Sequence, residues 1–377
     1  MKLVRLLALS LIVAGAALAE QPAINLPDLN PSEWFDGKMG GTFGAKTVTV
    51  FAKSNRVAVA GFRVVFVMHN EARAFVRATY LPGGVERGAA RAKMEVDLRG
   101  VDDATLQAIT DHAYKLFLDQ LKAAGREVVA VDPAAFASFK TNPSPQEVNV
   151  GPLKGRAFSP SGMPLWWQVG DSWGDAGLSQ KNMRAFNELS KAAGAPITIA
   201  PMIVIDFAHM QSSGNKSGLI ARRAEVGASL AMSIPTFVTR VVRAEETRYG
   251  GIVFKGDDGA LTMIKALDTD VEFAEMFILD TKTGTVLSLT GADSKSKNQK
   301  RVAETTNDAY TAAAHAVLAQ ATGAFAKLFA ANPPARPAAL IAPPYGTRTT
   351  VSASLGFERR SAPEISAGPV SPNGSCR

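Results

Sequence analysis

The clearest pattern in the chain is a run of apolar positions at helical spacing between Asp102 and Ala124. These positions recur three or four residues apart, as one buried face of a helix requires: Leu106, Ile109, Ala113, Leu116, Phe117 and Leu121. Asp102 is suited to cap the first turn, and Gly125 is suited to end the last one. The pattern predicts a helix over 102–124.

Strand-like segments lie on both sides of this helix. Arg56–Val67 is dense in valine, alanine and phenylalanine, and Glu127–Val131 reads as a short buried strand. Between the first strand and the helix, Glu71–Met94 carries a Pro-Gly-Gly turn at 82–84 between two short strands. A strand, a long helix and a second strand predict a βαβ-like unit whose helix packs on a sheet.

The second half of the chain is rich in strand patterns. Ile197–Phe207 is an apolar run, and Ala224–Val242 alternates apolar and polar positions. Shorter strands are predicted at Thr47–Phe51, Gly251–Lys255, Leu261–Leu267, Val271–Asp280 and Thr285–Leu289, the last two joined by a hairpin turn. Two more helices are predicted, at Ser179–Ala193 and at Val302–Ala331.

Together these elements predict an α+β fold: a mixed β-sheet flanked by helices, with a strand-rich second half and a disordered C-terminal tail. The expected parts are a signal peptide at 1–19, an α/β N-terminal part at 20–140, and a Pro/Gly/Trp-rich loop at 141–178. The segment 179–331 adds a helix, antiparallel strands and a closing helix, and forms one domain with 47–140. The tail, 332–377, is rich in proline and has little periodicity.

The first residues have the three-part pattern of a secretory signal. Lys2 and Arg5 precede an apolar run from Leu6 to Ala17, which ends in a small-x-small cleavage pattern at Ala19. The run is too short to span a bilayer, so a membrane anchor is not favoured. We expect cleavage after Ala19 and a protein that works in the periplasm or is secreted.

Net charge and cysteine content limit the partners and the disulfide bonds that can be expected. Lysine and arginine number 41 against 34 aspartate and glutamate, a net charge of +7. Cleavage would remove Lys2 and Arg5 and leave 39 basic against 34 acidic residues, a net charge of +5. The basic residues form no dense block, so nucleic acid is not an expected partner. Cys376 is the one cysteine, which excludes an intramolecular disulfide but allows an intermolecular one.

The sequence contains no recognisable motif of a catalytic site or a metal site. The segment 40–47 resembles a phosphate-binding loop, but alanine stands where the glycine before the lysine is required. The chain has four histidines, none in a zinc-protease pattern. Asp206 with His209, and Asp111 with His112, are the pairs from which an acid–base site could be assembled. We expect no catalytic residue, no metal site and no cofactor.

Three tryptophans form the most unusual local feature. Trp166, Trp167 and Trp173 stand in a Gly/Pro/Asp-rich segment outside any periodic element. A tryptophan side chain in such a segment can stack on a sugar or insert into a lipid interface. These three residues are therefore the candidate ligand-contact residues. The alternative is that they close one end of the hydrophobic core.

The order of the elements resembles a group of bacterial envelope proteins. The resemblance rests on the strand Arg56–Val67, on the helix ending in Ala-Ala-Gly at 123–125, and on the strand that runs into Asp132-Pro133. The strand Ile197–Phe207, the hairpin at 277–287 and the Ala-rich closing helix also fit. The group includes the amino-terminal domain of TolB and the curli secretion component CsgG. The chain departs from the curli channel because it has no lipid-attachment cysteine and no recognisable pair of membrane hairpins.

This resemblance implies a mixed sheet flanked by helices and a role in envelope assembly or interaction rather than catalysis. The expected function is that of an exported, non-enzymatic envelope or periplasmic protein that acts through protein–protein contacts in assembly or transport. Envelope proteins are its expected partners, and no transmembrane helix is expected. The alternatives are a periplasmic glycan- or lipid-binding module and a hydrolase with an unrecognised site.

Overall fold

The structure is a computed structural model of the chain. It describes residues 35–39, 51–76, 79–80, 86–87, 90–150, 153–167, 182, 185–186, 188–215, 223–243, 246–249, 252–255, 258–263, 266–269, 271–279, 286–288 and 299–334. The signal segment 1–19, the segment 40–47, Trp173 and the tail from 335 onward lie outside the described residues. The described residues belong to one compact unit, residues 1–335, and a second unit covers 336–377.

Alternating and β-branched segments form most of the described structure. The first half of the chain contributes β1 (Phe35–Met39), β2 (Arg56–Val59), β3 (Arg63–Val76), β4 (Thr79–Tyr80), β5 (Glu86–Arg87), β6 (Ala90–Arg99), β7 (Glu127–Val129), β8 (Thr141–Asn142), β9 (Gln146–Val150), β10 (Leu153–Phe158) and β11 (Leu165–Trp166). The second half contributes β12 (Ile197–Asn215), β13 (Arg223–Arg243), β14 (Glu246–Tyr249), β15 (Ile252–Lys255), β16 (Asp258–Met263), β17 (Leu267–Asp268), β18 (Ala274–Leu279), β19 (Val286–Ser288) and β20 (Gln299–Thr305).

Among the described residues, fourteen of these strands form one mixed sheet, and the other six form the two-stranded sheets β4-β5, β8-β11 and β14-β15. Its hydrogen-bonded path runs β1-β16-β13-β12-β3-β6-β20-β18-β19, with β10 also paired to β3 and β9 paired to β10. β3 is parallel to β12 and antiparallel to β6, and β20 is parallel to β6. The predicted α+β fold class with a mixed sheet is therefore confirmed.

Two long helices accompany the sheet. α1 spans Asp103–Ala123 and is capped by Asp102, whose side chain accepts a hydrogen bond from the Thr105 amide. α2 spans Asn307–Ala331 and is capped by Thr306. Asp102 also accepts a hydrogen bond from the Asn307 side-chain amide (2.8 Å), so the two helix N-termini lie side by side. The predicted first helix is confirmed, with its positive-φ stop at Gly125 (φ 80°).

The other end of the helix pair is held by Arg126. Its guanidinium donates to the carbonyls of Phe51 (2.7 Å) and Ser54 (2.7 Å), and also to those of Phe329 (2.6 Å) and Asn332 (2.5 Å). Two of these carbonyls belong to the C-terminal end of α2, where a cation also complements the helix dipole. Arg126 therefore ties the ends of both helices to the segment that precedes β2.

The predicted βαβ-like unit is present. β2 and β7 are parallel, with Arg56, Val57 and Ala58 opposite Glu127, Val128 and Val129, and α1 lies between them in sequence. The strand predicted over 56–67 is interrupted at 60–62, after which β3 begins. A Cβ at Gly61 would lie 3.0 Å from the Trp166 ring, so the interruption is where this ring meets the backbone.

Two segments differ from the sequence-based expectation. The first part of the expected loop at 141–178 forms β8 to β11, because alternate residues of β10 such as Ala157 pack into the core beside β3. The closing helix begins at Asn307 rather than at Val302, because 299–305 form β20 between β6 and β18.

The main core lies between the helices and the sheet. Phe51 and Phe325 meet edge to face, Phe237 stacks on Phe325, and Phe62 packs on Phe117. In the part of the chain that the structure describes, no helix is long and apolar enough to cross a membrane.

Candidate functional site

A charged surface covers one face of the sheet where β3 and β6 pair. Ala72, Ala74, Met94 and Val96 are buried in the main core. Because side chains alternate between the two faces of a strand, the intervening residues lie on the opposite face. They are His69, Glu71, Arg73 and Phe75 on β3, and Arg91, Lys93, Glu95 and Asp97 on β6. We call this set, together with Lys154 of β10 and Lys300 of β20, the charged sheet face.

The strand register sets these residues in rows across the two strands. Glu71 lies opposite Glu95, and Arg73 lies opposite Lys93. Like charges directly opposite each other destabilise a strand pair. Diagonal and same-strand ion pairs compensate here: Arg73 bonds Glu71, Lys93 bonds Glu95, and Lys93 also reaches Glu71 (3.1 Å). The two rows therefore stabilise each other as one ionic network.

Two flanking strands extend the network. Lys300 of β20 lies opposite Glu95 and pairs with its carboxylate at 3.2 Å. On the other side, Lys154 of β10 and Asp97 of β6 are both register partners of His69. The distance between Nδ1 of His69 and Oδ1 of Asp97 is 2.6 Å. Eight of these residues line an open cavity of about 900 Å³: His69, Glu71, Arg73, Lys93, Glu95, Asp97, Lys154 and Lys300.

The ionic network keeps its carboxylates charged. The hydrogen bond from Arg73 holds the pKa of Glu71 below its usual value, even though partial burial acts in the opposite direction. The hydrogen bond from Lys93, followed by that from Lys300, lowers the pKa of Glu95 in the same way. The hydrogen bond that Lys93 donates to Glu95 is in turn the main cause of the raised pKa of Lys93. At neutral pH these groups are fixed charges, which suits electrostatic recognition better than proton transfer.

The acidic and basic side chains that line the cavity differ in solvent exposure. The side chains of Glu71 and Glu95 are only 9% and 15% exposed, whereas those of Arg73 and Lys300 are 72% and 50% exposed. Lys154 is exposed as well. Glu71 and Glu95 therefore form the floor of the cavity, and Arg73, Lys154 and Lys300 form its rim. Asp97, 37% exposed, is the acidic residue with the most contact with solvent among those that line the cavity.

The tryptophans lie elsewhere, in the protein interior. Trp166 and Trp167 are fully buried. The indole N–H of Trp166 donates to the Ala60 carbonyl (3.0 Å), and that of Trp167 donates to Oε1 of Gln146 (2.8 Å). Both rings are therefore packed in the protein interior, in line with the alternative that the tryptophans close one end of the hydrophobic core. Trp173 lies outside the described residues. A ligand-contact role for the three tryptophans stays a prediction.

A second aromatic core surrounds Trp166. Its ring lies 4.7 Å from Phe139 and 5.4 Å from Phe186, centroid to centroid. The guanidinium of Arg63 lies 5.4 Å from Trp166 and 5.5 Å from Trp167, and it donates to the Trp166 carbonyl. Cation–π contacts and hydrogen bonds thus fix the segment that follows β10 against the sheet.

The two acid–base pairs suggested by the sequence do not form dyads. Asp206 is buried and accepts hydrogen bonds from the Asn70 amide (2.9 Å) and the Ala208 backbone N–H (3.2 Å), while His209 is exposed. Asp111 accepts hydrogen bonds from Ser161, and His112 stacks on His315. Both carboxylates thus have partners other than the neighbouring histidine.

The charged sheet face was missed by the sequence analysis. The available signal was a charged or polar residue at every second position: Glu71 and Arg73 in one segment, Lys93, Glu95 and Asp97 in the other. That alternation marks the exposed side of a strand, but by itself it does not show that the two segments pair. Only the register of β3 and β6 brings their charges together.

Among the described residues, no group of three or more histidine, cysteine, aspartate or glutamate side chains is placed to hold a metal ion. No protein-family model matches the chain, and no curated protein matches its sequence. The resemblance to the envelope proteins therefore stays a prediction.

Proposed function

We propose that the protein is an exported, non-enzymatic component of the cell envelope that acts through protein–protein contacts, and that the charged sheet face is its contact surface. The observation that carries this proposal is the cavity itself. Its floor and rim hold ionic groups fixed by mutual pairing, on a solvent-facing side of the sheet. Electrostatic complementarity of this kind supports specificity and rapid association between proteins.

Phe75 adds an apolar element to the same face. Its side chain is 51% exposed, and the guanidinium of Arg91 lies 5.1 Å from its ring. Aromatic and arginine side chains are enriched among the residues that dominate binding energy at protein interfaces. Phe75 and Arg91 therefore support a contact role for this end of the β3–β6 pair.

Export is supported by the sequence of residues 1–19. Cell fractionation followed by N-terminal sequencing tests this part of the proposal. The expected result is a chain in the periplasm or the medium that begins at Glu20. Recovery of the uncleaved chain from the cytoplasm would contradict it.

Site-specific photocrosslinking tests the contact surface. A benzophenone amino acid is placed at Phe75, whose exposed aromatic ring it replaces while every ionic group is kept, or at Lys115, which is exposed on α1 and serves as the control position. We expect a discrete adduct with another envelope protein from position 75 and none from position 115. The proposal fails if position 75 gives no adduct in cells that express the protein at its native level.

A second function is favoured by one observation, the His69–Asp97 pair in the cavity. A carboxylate bound to Nδ1 orients an imidazole and leaves Nε2 to accept a proton, as a hydrolase with a histidine base requires. Hydrolysis of model esters by the purified protein would support this function if the variant His69→Gln lost the activity. Equal rates for the two proteins would dismiss it.

A further inference from the structure

The charged sheet face presents Arg73, Lys154 and Lys300 to solvent and keeps Glu71 and Glu95 beneath them. Its third carboxylate, that of Asp97, is 37% exposed and lies 2.6 Å from the His69 ring. Arg73, Lys93, Lys154 and Lys300 surround the cavity, and the two glutamates at its floor are already neutralised by Arg73, Lys93 and Lys300. An incoming group therefore meets the positive charges first. An anionic partner gains Coulomb energy from the rim without approaching the covered carboxylates closely.

The positions of the cations give the partner its dimensions. Lys154 and Lys300 lie on β10 and β20, with β3 and β6 between them. Three interstrand steps correspond to about 14 Å, and two residues along a strand to about 7 Å. A polypeptide segment of roughly five residues crosses such a cavity and can bring two or more carboxylates to the rim.

We propose that the cavity binds an acidic segment of a partner protein, whose carboxylates pair with Arg73, Lys154 and Lys300. This inference rests on the proposed function and names the chemistry of the partner. A flexible segment can set its carboxylates at three separate points of this rim and place its own atoms in the open cavity, whereas a flat anionic bilayer would leave the cavity unfilled. Phe75, next to Arg73 on the same face, offers the segment an apolar contact at one end.

The test variant is the double substitution Arg73→Gln with Lys300→Gln. Glu71 and Glu95 both keep Lys93 as an ion-pair partner in this variant, so the floor of the cavity stays paired. The matched control is Lys115→Gln, which removes an exposed lysine from α1. Circular dichroism of each variant establishes that it folds as the parent protein does.

Binding is measured by fluorescence anisotropy with a dye-labelled peptide of alternating glutamate and serine, and with the same peptide carrying glutamine for glutamate. Vesicles of phosphatidylglycerol and of phosphatidylcholine form the lipid arm. We expect saturable binding of the glutamate peptide that weakens as salt is added. We also expect about a tenfold loss of affinity in the double variant, since two exposed ion pairs are removed, and no loss in Lys115→Gln.

Three results would overturn the inference: no binding of the glutamate peptide, equal binding of the glutamine peptide, or binding that the double variant leaves unchanged. Binding to phosphatidylglycerol vesicles without binding to the peptide would also overturn it, in favour of a lipid surface. If the peptide fails but the photocrosslinked adduct at position 75 forms, the acidic-segment inference falls while the proposed contact function stands. If both fail, both are wrong.

Discussion

The imidazole rings of His112 and His315 stack across the interface between α1 and α2, with their centroids 4.0 Å apart and their planes at 23°. Nε2 of His315 is buried and has no hydrogen-bond partner among the described residues. Burial, and then the charge of His112, lower the pKa of His315 to about 4. The folded protein therefore holds this imidazole neutral between its two long helices.

The first prediction concerns acid stability. An unfolded histidine binds a proton below pH 6.5, whereas His315 in the folded chain does so only near pH 4. The contribution of His315 to the free energy of unfolding should therefore fall as the pH drops from 6.5 towards 4. Solvent screening at this half-buried ring reduces the effect to about 1 kcal/mol at pH 5. Urea unfolding of the parent protein and of a variant without this imidazole, at pH 7.5 and at pH 5, measures it.

The variant His315→Phe isolates this contribution. It keeps an aromatic ring against His112 and removes both the titrating group and the unpartnered Nε2. Relative to the parent protein, we expect the variant to be about 1 kcal/mol more stable at pH 5 than at pH 7.5. The same stability difference at both pH values would contradict the assignment to His315.

Asp206 should give a pH dependence of the opposite sign. Burial raises the pKa of this carboxyl to about 6, despite the hydrogen bonds from Ala208 and Asn70. The unfolded chain ionises near pH 4 and the folded chain only near pH 6, so stability should fall as the pH rises between these values. A shift of this size corresponds to about 3 kcal/mol. The contribution of His315 has the opposite slope over the same pH range and offsets part of this one, so each contribution is measured as the difference between a variant and the parent protein.

The substitution Asp206→Asn tests this assignment. The variant cannot ionise, so its free energy of unfolding relative to the parent protein should rise between pH 4 and pH 7. Denaturant unfolding across this range measures the difference, which is independent of any constant offset caused by the amide. Parallel stability curves for the two proteins would contradict the assignment.

Arg126 should be among the costliest residues to replace. It is 3% exposed, its pKa is lowered by burial, and its four carbonyl partners come from two separate segments. The substitution Arg126→Met leaves these carbonyls without their donor, and we expect a loss of about 2–4 kcal/mol in the free energy of unfolding. Chemical denaturation measures it, with Lys115→Met as the exposed control. A loss of similar size in both variants would refute the bridging role.

Local patterns predicted the elements whose signals are contained in one segment. The apolar stripe and the two caps of α1 lie within about two dozen residues, so the helix could be placed almost to the residue. The same holds for β12 and β13, whose long apolar and alternating runs predict strands directly. The βαβ-like unit was also predicted, because β2, α1 and β7 follow one another along the chain.

Features that depend on pairing between distant segments were not predicted. The prolines and glycines around β9 and β10 predict a loop, yet both segments are strands. Gly155 is required in β10 because a Cβ there would lie 2.6 Å from the Phe66 carbonyl oxygen. The charged sheet face needs the register of β3 against β6, which residue types alone do not set. The burial of Trp166 depends on Phe139 and Phe186, which come from two other segments.

Burial and ligand contact predict different fluorescence behaviour for Trp166 and Trp167. Trp166 and Trp167 are fully buried, and both indole N–H groups already have protein acceptors. A sugar or lipid could reach these rings only if the packing around Phe139 and Phe186 opened. The double variant Trp34→Phe with Trp173→Phe leaves these two indoles as the fluorophores. We expect blue-shifted emission, weak quenching by iodide, and no response to envelope glycans or phospholipid vesicles.

A stability measurement separates the two roles further. The substitution Trp166→Ala should lower the free energy of unfolding by about 3–5 kcal/mol, since it empties the centre of the second aromatic core. Trp166→Phe keeps most of the ring contacts and should cost less, although it leaves the Ala60 carbonyl without its donor. A glycan or lipid that shifts the emission of the two-tryptophan variant, together with a small stability loss in Trp166→Ala, would contradict the core role. That outcome would make the segment at 165–167 a ligand site that opens in solution.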